Sequence, residues 1–166
     1  MMIFINQDIE PVKTINHVRQ YLALGSRLCA ENRGLLVENG IDAILSLAAT
    51  KPGLKTPHLT VEFQDRVPLP DAAIVECMGF IKFQLEKGRR VLLHCEMGIS
   101  RSPSICACYL HEHEGLPLEE AHKQVKAFHP AADPHPALVT SIKDYYAKLA
   151  KLRHTRTGAV KHGVGA

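Results

Sequence analysis

Residues 91–103, Val-Leu-Leu-His-Cys-Glu-Met-Gly-Ile-Ser-Arg-Ser-Pro, leave this chain few ways to fold. Residues 91–93 form a short apolar run behind the charged stretch 87–90, which reads as a buried strand. His94 and Cys95 end it, and a five-residue loop follows with Gly98 at its centre. Arg101, Ser102 and Pro103 then open an apolar segment, 105–110, that fits a helix. Proline is tolerated in a first helical turn because its missing N–H had no partner there.

A thiol at a strand end, six residues before an arginine at a helix start, is a specific chemical arrangement. A tightly turning backbone can aim several N–H groups at one point and so make a nest for an anion. The helix start adds free N–H groups and positive dipole. Arg101 adds a planar fork that can hold two phosphate oxygens at once. The same positive field favours the thiolate of Cys95 over its thiol, and a thiolate beneath a bound phosphate is a nucleophile aimed at phosphorus. Gly98 lets the loop turn and lets a ligand approach the backbone. The competing reading of the same spacing is a buried structural cysteine with a surface arginine.

His94-Cys95-x5-Arg101-Ser102 resembles the signature of the cysteine-based protein tyrosine phosphatases. The fuller form, 94–103, is similar to that of the compact dual-specificity branch. Looser likeness runs through Tyr21-Leu22-Ala23-Leu24-Gly25-Ser26, Ala30-Glu31-Asn32, Gly40-Ile41, 115–121 and His129 to Pro134, so it covers about 15–150. The resemblance implies that Cys95 is the nucleophile. Arg101 and the backbone of Glu96, Met97, Gly98, Ile99 and Ser100 would hold the phosphate. Ser102 would assist departure of the thiolate, and His94 would orient the loop and help hold the thiolate charge. It implies no metal and no cofactor.

A phosphate leaving group also needs a proton donor. Glu62, Asp65 and Asp71 lie upstream. Glu62 alternates within a strand and faces solvent, and Asp71 is placed to cap a helix. The family's general acid is an Asp in the position of Asp65, so the resemblance gives Asp65 that role, with Asp71 as the alternative.

Strands interleaved with helices, then helices alone, imply an α/β fold. We expect one domain over 1–150, with a central, mostly parallel sheet of four to five strands flanked by helices. The phosphatase signature loop would lie between a strand and a helix. Strands are expected near 20–24 and over 41–48, 59–64 and 91–93. Helices are expected over 28–38 (stopped by Gly40), from Asp71 to Gly88, over 101–113 and 117–128, and over 136–149. Inward faces are Ile74, Cys77, Met78, Ile81 and Leu85; Leu118, Ala121, Val125 and Phe128; and Leu138, Ile142, Tyr145 and Leu149. Residues 50–57 and 65–70 read as loops, because Pro68 and Pro70 cannot donate to a sheet.

The net charge is +3, but 151–166 carries Lys151, Arg153, Arg156 and Lys161 and no acid. That leaves 16 basic and 17 acidic residues in the body, which argues against nucleic acid as a partner. The tail itself reads as basic and disordered. No run of 18 apolar residues is present, so no membrane span is expected. Residues 1–8 have no basic lead-in and do not read as a secretory signal. Five cysteines without regular spacing argue against a disulfide framework and for a reducing, cytoplasmic setting. Cys106-Ala107-Cys108 and His111-Glu112-His113 resemble metal ligands, but residues two apart on a helix point about 200° apart and chelate poorly.

A compact member of the family has a shallow cleft open to phosphotyrosine and to phosphoserine or phosphothreonine of proteins. Phosphate, vanadate or sulfate should bind the loop, and the chain should be a monomer. Glu96, with no Lys or Arg in the loop before Arg101, disfavours phosphoinositides. The alternatives are a phosphatase for a phospholipid, sugar or RNA 5′-phosphate, a non-catalytic phosphate-binding module, or a sulfurtransferase.

Overall fold

The computed structural model describes residues 9–162, with side chains to Arg156, so the reading of 1–8 lies outside the described residues. The strands are β1 (Asn16–Arg19), β2 (Leu22–Gly25), β3 (Ala43–Ser46), β4 (His58–Thr60) and β5 (Val91–His94). The helices are α1 (Arg27–Glu31), α2 (Arg33–Glu38), α3 (Asp71–Glu86), α4 (Arg101–Glu114), α5 (Leu118–Phe128) and α6 (Pro136–His162). The expected α/β architecture is present: a five-stranded sheet in the order β1-β2-β5-β3-β4, parallel except for the β1–β2 hairpin.

The strand that carries the signature is the middle of the sheet. Leu22, Leu24 and Ala43, Leu45 sit beside Val91 and Leu93 and face the core shared with α3 to α6. Ala23, Ile44 and Leu92, one residue out of step, face a second core with Cys29, Ala30 and Leu36 of α1 and α2. β5 is therefore apolar on both faces, as a parallel strand covered by helices must be. Burying each such leucine contributes roughly 1.5–3 kcal/mol. The sheet thus fixes the strand end at which Cys95 sits.

Several expectations are corrected. The single strand near 20–24 is a hairpin that turns at Gln20-Tyr21. The 28–38 helix is two helices, because the Asn32 side chain accepts the Leu35 N–H (3.0 Å) and starts α2 afresh. Residues 61–64 continue beyond β4 without pairing as strand. Asp71 does not cap α3: Pro70 holds the N-cap position, and Asp71, the first helical residue, pairs with Lys148 at 2.5 Å. Phe128 is exposed rather than inward. The expected disordered tail is helical as far as His162, because α6 runs on past Leu149. Residues 151–156 of it are exposed and rich in Lys, Arg and Leu, good helix formers that need no core to continue a helix already nucleated.

Candidate active site

Cys95 directly follows β5 and is 2% exposed, in the lining of a cleft of about 410 Å³. Met97, Ile99, Ser100 and Arg101 line the same cleft, with Asp65, Arg66 and residues 133–136 on its rim. Glu96 stands half-buried beside Arg27 (3.1 Å) and is not part of the lining.

The loop is built by its carbonyls. Those of Glu96, Met97 and Ile99 accept the N–H groups of Arg27 (3.1 Å), Val12 (3.0 Å) and Asp133 (2.7 Å). That of Gly98 accepts from His129 Nε2 (2.6 Å), and that of Ser100 from Ser104 N–H and Oγ. Five consecutive carbonyls are thus tied to surrounding elements. Among the described residues, no backbone group accepts the N–H groups of 96–100. Successive unpaired N–H groups in a tight turn form an anion nest. Gly98 makes the turn with φ +75°, and a Cβ there would lie 2.9 Å from the Gly25 carbonyl oxygen. Any larger residue would strain the backbone and push the loop off β2.

Arg101 opens α4 and is half-buried. Its Nη1 donates to the carbonyls of Phe63 (2.9 Å) and Leu47 (3.4 Å). One edge of the guanidinium is thereby fixed, leaving Nε and Nη2 for an anion. Ser102, fully buried, places Oγ 3.3 Å from Cys95 Sγ.

Asp65 stands on the loop after β4. Its Oδ1 accepts from Ser100 Oγ (2.8 Å) and Arg66 N–H (2.9 Å). Both bonds go to Oδ1. Ser100 Oγ accepts in turn from His135 N–H (2.9 Å). Asp71, engaged with Lys148, does not line the cleft, and Glu62 is exposed outside it.

A loop that presents buried thiol, free amides and arginine at one point matches a known family. Residues 22–148 match the model described as dual specificity phosphatase, catalytic domain. The chain belongs to the dual specificity phosphatases. It is 28% identical over 135 residues to human dual specificity phosphatase 28, covering 77% of this chain and 75% of that one. It is 29% identical over 142 residues to dual specificity protein phosphatase 1B of Arabidopsis thaliana, covering 82% and 84%. The crystal structure of human DUSP28 superposes with a TM-score of 0.76 at 26% identity, over 85% of this chain and 99% of that chain. The chain is thus a hydrolase of the protein tyrosine/dual-specificity phosphatase type.

Within this dual specificity phosphatase, two histidines position the loop from opposite sides. His94 is fully buried, and burial drives its pKa down to about 4. The ring is neutral at pH 7, and it is tied to the start of the loop through the Cys95 carbonyl. The assignment that satisfies every contact runs from His58 Nε2–H to Ser46 Oγ (2.8 Å). Ser46 O–H then donates to His94 Nε2 (2.5 Å), and His94 Nδ1–H to the Cys95 carbonyl (3.1 Å). His129 takes its proton on Nε2 for Gly98 and accepts Asn16 Nδ2 on Nδ1 (2.9 Å). The sequence reading missed Asn16, Ser46, His58 and His129 as loop supports, since each lies 31 or more positions from the loop or from His94. The Pro after His129 was the one local signal, marking a turn.

Cys106 and Cys108 are both buried core residues, and burial pushes the Cys106 and Cys77 thiols up to about 12. His111 stands edge-on to Tyr146, and His113 lies against Tyr109. Among the described residues no cluster of His, Cys, Asp or Glu could hold a metal. No helix among them is long and apolar enough to cross a membrane.

Proposed function

We propose that this chain removes phosphate from phosphotyrosine and from phosphoserine or phosphothreonine of proteins, through a cysteinyl-phosphate intermediate. The observation that carries the reading is the set of unpaired loop amides above Cys95, with Arg101 closing the ring.

In the first step Cys95 Sγ, as thiolate, attacks phosphorus in line. The S–P bond forms while the P–O bond to the leaving alkoxide or phenoxide breaks. The amides of 96–101 with Nε and Nη2 of Arg101 hold the equatorial oxygens, and so stabilise the charge that develops there. Asp65 gives its proton to the leaving oxygen. In the second step Asp65, now ionised, takes a proton from water as that water attacks phosphorus. The S–P bond breaks, and Ser102 O–H donates a hydrogen bond to the departing sulfur. Arginine and amides meet all the charge that develops, so the route asks for no metal. Phosphate, vanadate and sulfate fit the same nest and should compete with substrate. The half-buried Glu96 and the body's even charge fit a phosphoprotein better than a phosphoinositide or RNA. We place the protein in a reducing cytoplasm as a monomer, with nucleic acid and membrane outside its partners.

The test is turnover of p-nitrophenyl phosphate and of phosphopeptides under reducing conditions with EDTA, beside Cys95→Ser. Turnover by the wild type alone is expected, with trapped phosphocysteine detectable by mass. Equal turnover by Cys95→Ser, or phosphopeptide binding without turnover by the wild type, would overturn it.

A further inference from the structure

A second groove, of about 520 Å³, adjoins the catalytic cleft, and Pro134 lines both. Its walls are His122, Lys123 and Lys126 of α5 and Val139 and Lys143 of α6. Three ammonium groups thus surround a partly apolar floor of Pro134 and Val139. The one carboxylate in the groove, Glu119, lies 3.8 Å from Lys123 in a largely exposed pair. Lys126 Nζ donates to the Ala132 carbonyl (2.9 Å), which orients the charge without cancelling it. Lys143 has no ion-pair partner among the described residues. His122 Nε2 is a buried atom with no hydrogen-bond partner. Burial, then the charge of Lys143, lowers the pKa of this imidazole. A buried polar atom without a partner is costly unless something else pairs with it.

We propose that this groove receives an acidic, partly apolar segment of the phosphoprotein substrate, a few residues from the phosphorylated residue. The inference rests on the phosphoprotein reading above. Charge complementarity selects Asp or Glu side chains for the lysines. The Pro134–Val139 floor takes an adjacent apolar side chain. Pro134 lines both, so the groove lies directly beside the catalytic cleft, and one extended segment, at roughly 3.3 Å per residue, can cross Pro134 from one to the other. Exposed complementary charges act chiefly on encounter and on salt dependence, so the preference should weaken as ionic strength rises.

The test compares phosphotyrosine peptides whose flanks, up to four residues on either side, carry Glu, Gln or Lys. With the wild type we expect kcat/KM about fivefold higher for the Glu peptide than for the Gln peptide at low salt. In Lys143→Glu that advantage should vanish and the Lys peptide should gain, while p-nitrophenyl phosphate, too small to reach the groove, is hydrolysed at the wild-type rate. The same comparison by calorimetry on Cys95→Ser protein reads peptide binding without turnover. A failure of catalysis and a failure of the groove are therefore separate results. Equal handling of Glu and Gln peptides by the wild type would overturn the proposal, as would an advantage that survives Lys143→Glu. So would a Lys143→Glu protein that loses binding only to phosphatidylserine vesicles.

Discussion

The two halves of the candidate site are held in opposite ways. The loop 96–100 rises from the central strand, and each of its five carbonyls is anchored: by residues 12 and 27, by His129 and Asp133 of the α5–α6 connection, and by Ser104 of α4. The stretch 65–70 is tied at few points: Asp65 to Ser100, and Leu69 N–H to Ser141 Oγ (2.9 Å). Arg66, Val67, Pro68 and Pro70 between and beside them are exposed, and Arg66 has φ +66°. The difference fits the tasks proposed for the two. An anion nest works only if its donors are fixed before charge develops. A proton donor must exchange protons with leaving group and water, so a lightly tethered, half-exposed loop suits it.

The largest effect that could break this contrast is at Arg101. Arg101→Lys keeps charge but loses the fork, and kcat/KM should fall about 10³-fold alike for aryl and alkyl phosphates. A loss that depends on the leaving group would mean that the two halves are not separate in function.

Next is the pH dependence of stability. His94 is held neutral with a folded pKa of about 4, against an ordinary 6.5. Between those values the unfolded chain binds the proton and the native chain does not, so stability falls as pH drops from 6.5 towards 4. The full loss for this one group is about 3 kcal/mol. His129 and His122, also lowered by burial, act in the same direction. Melting temperatures over that range should show the slope, and His94→Asn should flatten it.

Asp65→Asn comes third. It should cost about 10²-fold for phosphoserine or phosphotyrosine peptides, and much less for p-nitrophenyl phosphate, whose leaving group needs little protonation. An unchanged rate on all three would take the acid role away from Asp65. Ser100→Ala is the smallest. It frees Asp65 from one hydrogen bond and should lower peptide kcat by a few-fold, about 1 kcal/mol, with KM little changed.

The sequence made the strand–loop–helix of β5 and α4 legible, because an apolar run, a glycine and a proline mark its three parts within thirteen residues. The parallel sheet was legible for the same reason: Leu22–Leu24, 43–45 and 91–93 are apolar without alternation. The β1–β2 turn was not, since Gln20-Tyr21 contains none of the residues that announce a reversal. The break at Asn32 was available from its short polar side chain, but a continuous apolar pattern through Leu35 and Leu36 outweighed it. The length of α6 escaped because residues 151–156 bury nothing: Leu152 is 62% exposed, and amphipathic periodicity is blind to a helix sustained by backbone propensity. Elimination left Asp65 and Asp71 as candidate acids, and the family resemblance chose Asp65. Its hydrogen bond to Ser100 joins residues 35 apart that only the folded sheet brings together.

The close approach of Gly98 to the Gly25 carbonyl has a consequence for the order of assembly. The loop's outer wall is β2 together with the start of α1, both of which leave the ribosome some seventy residues before it. A peptide spanning only 91–110 would hold every letter of the signature and none of the walls that bend it into a cup. Affinity for phosphate should therefore arrive in one step, when β2 zips into register beside β5, and a nascent chain stopped short of that event is blind to oxyanions.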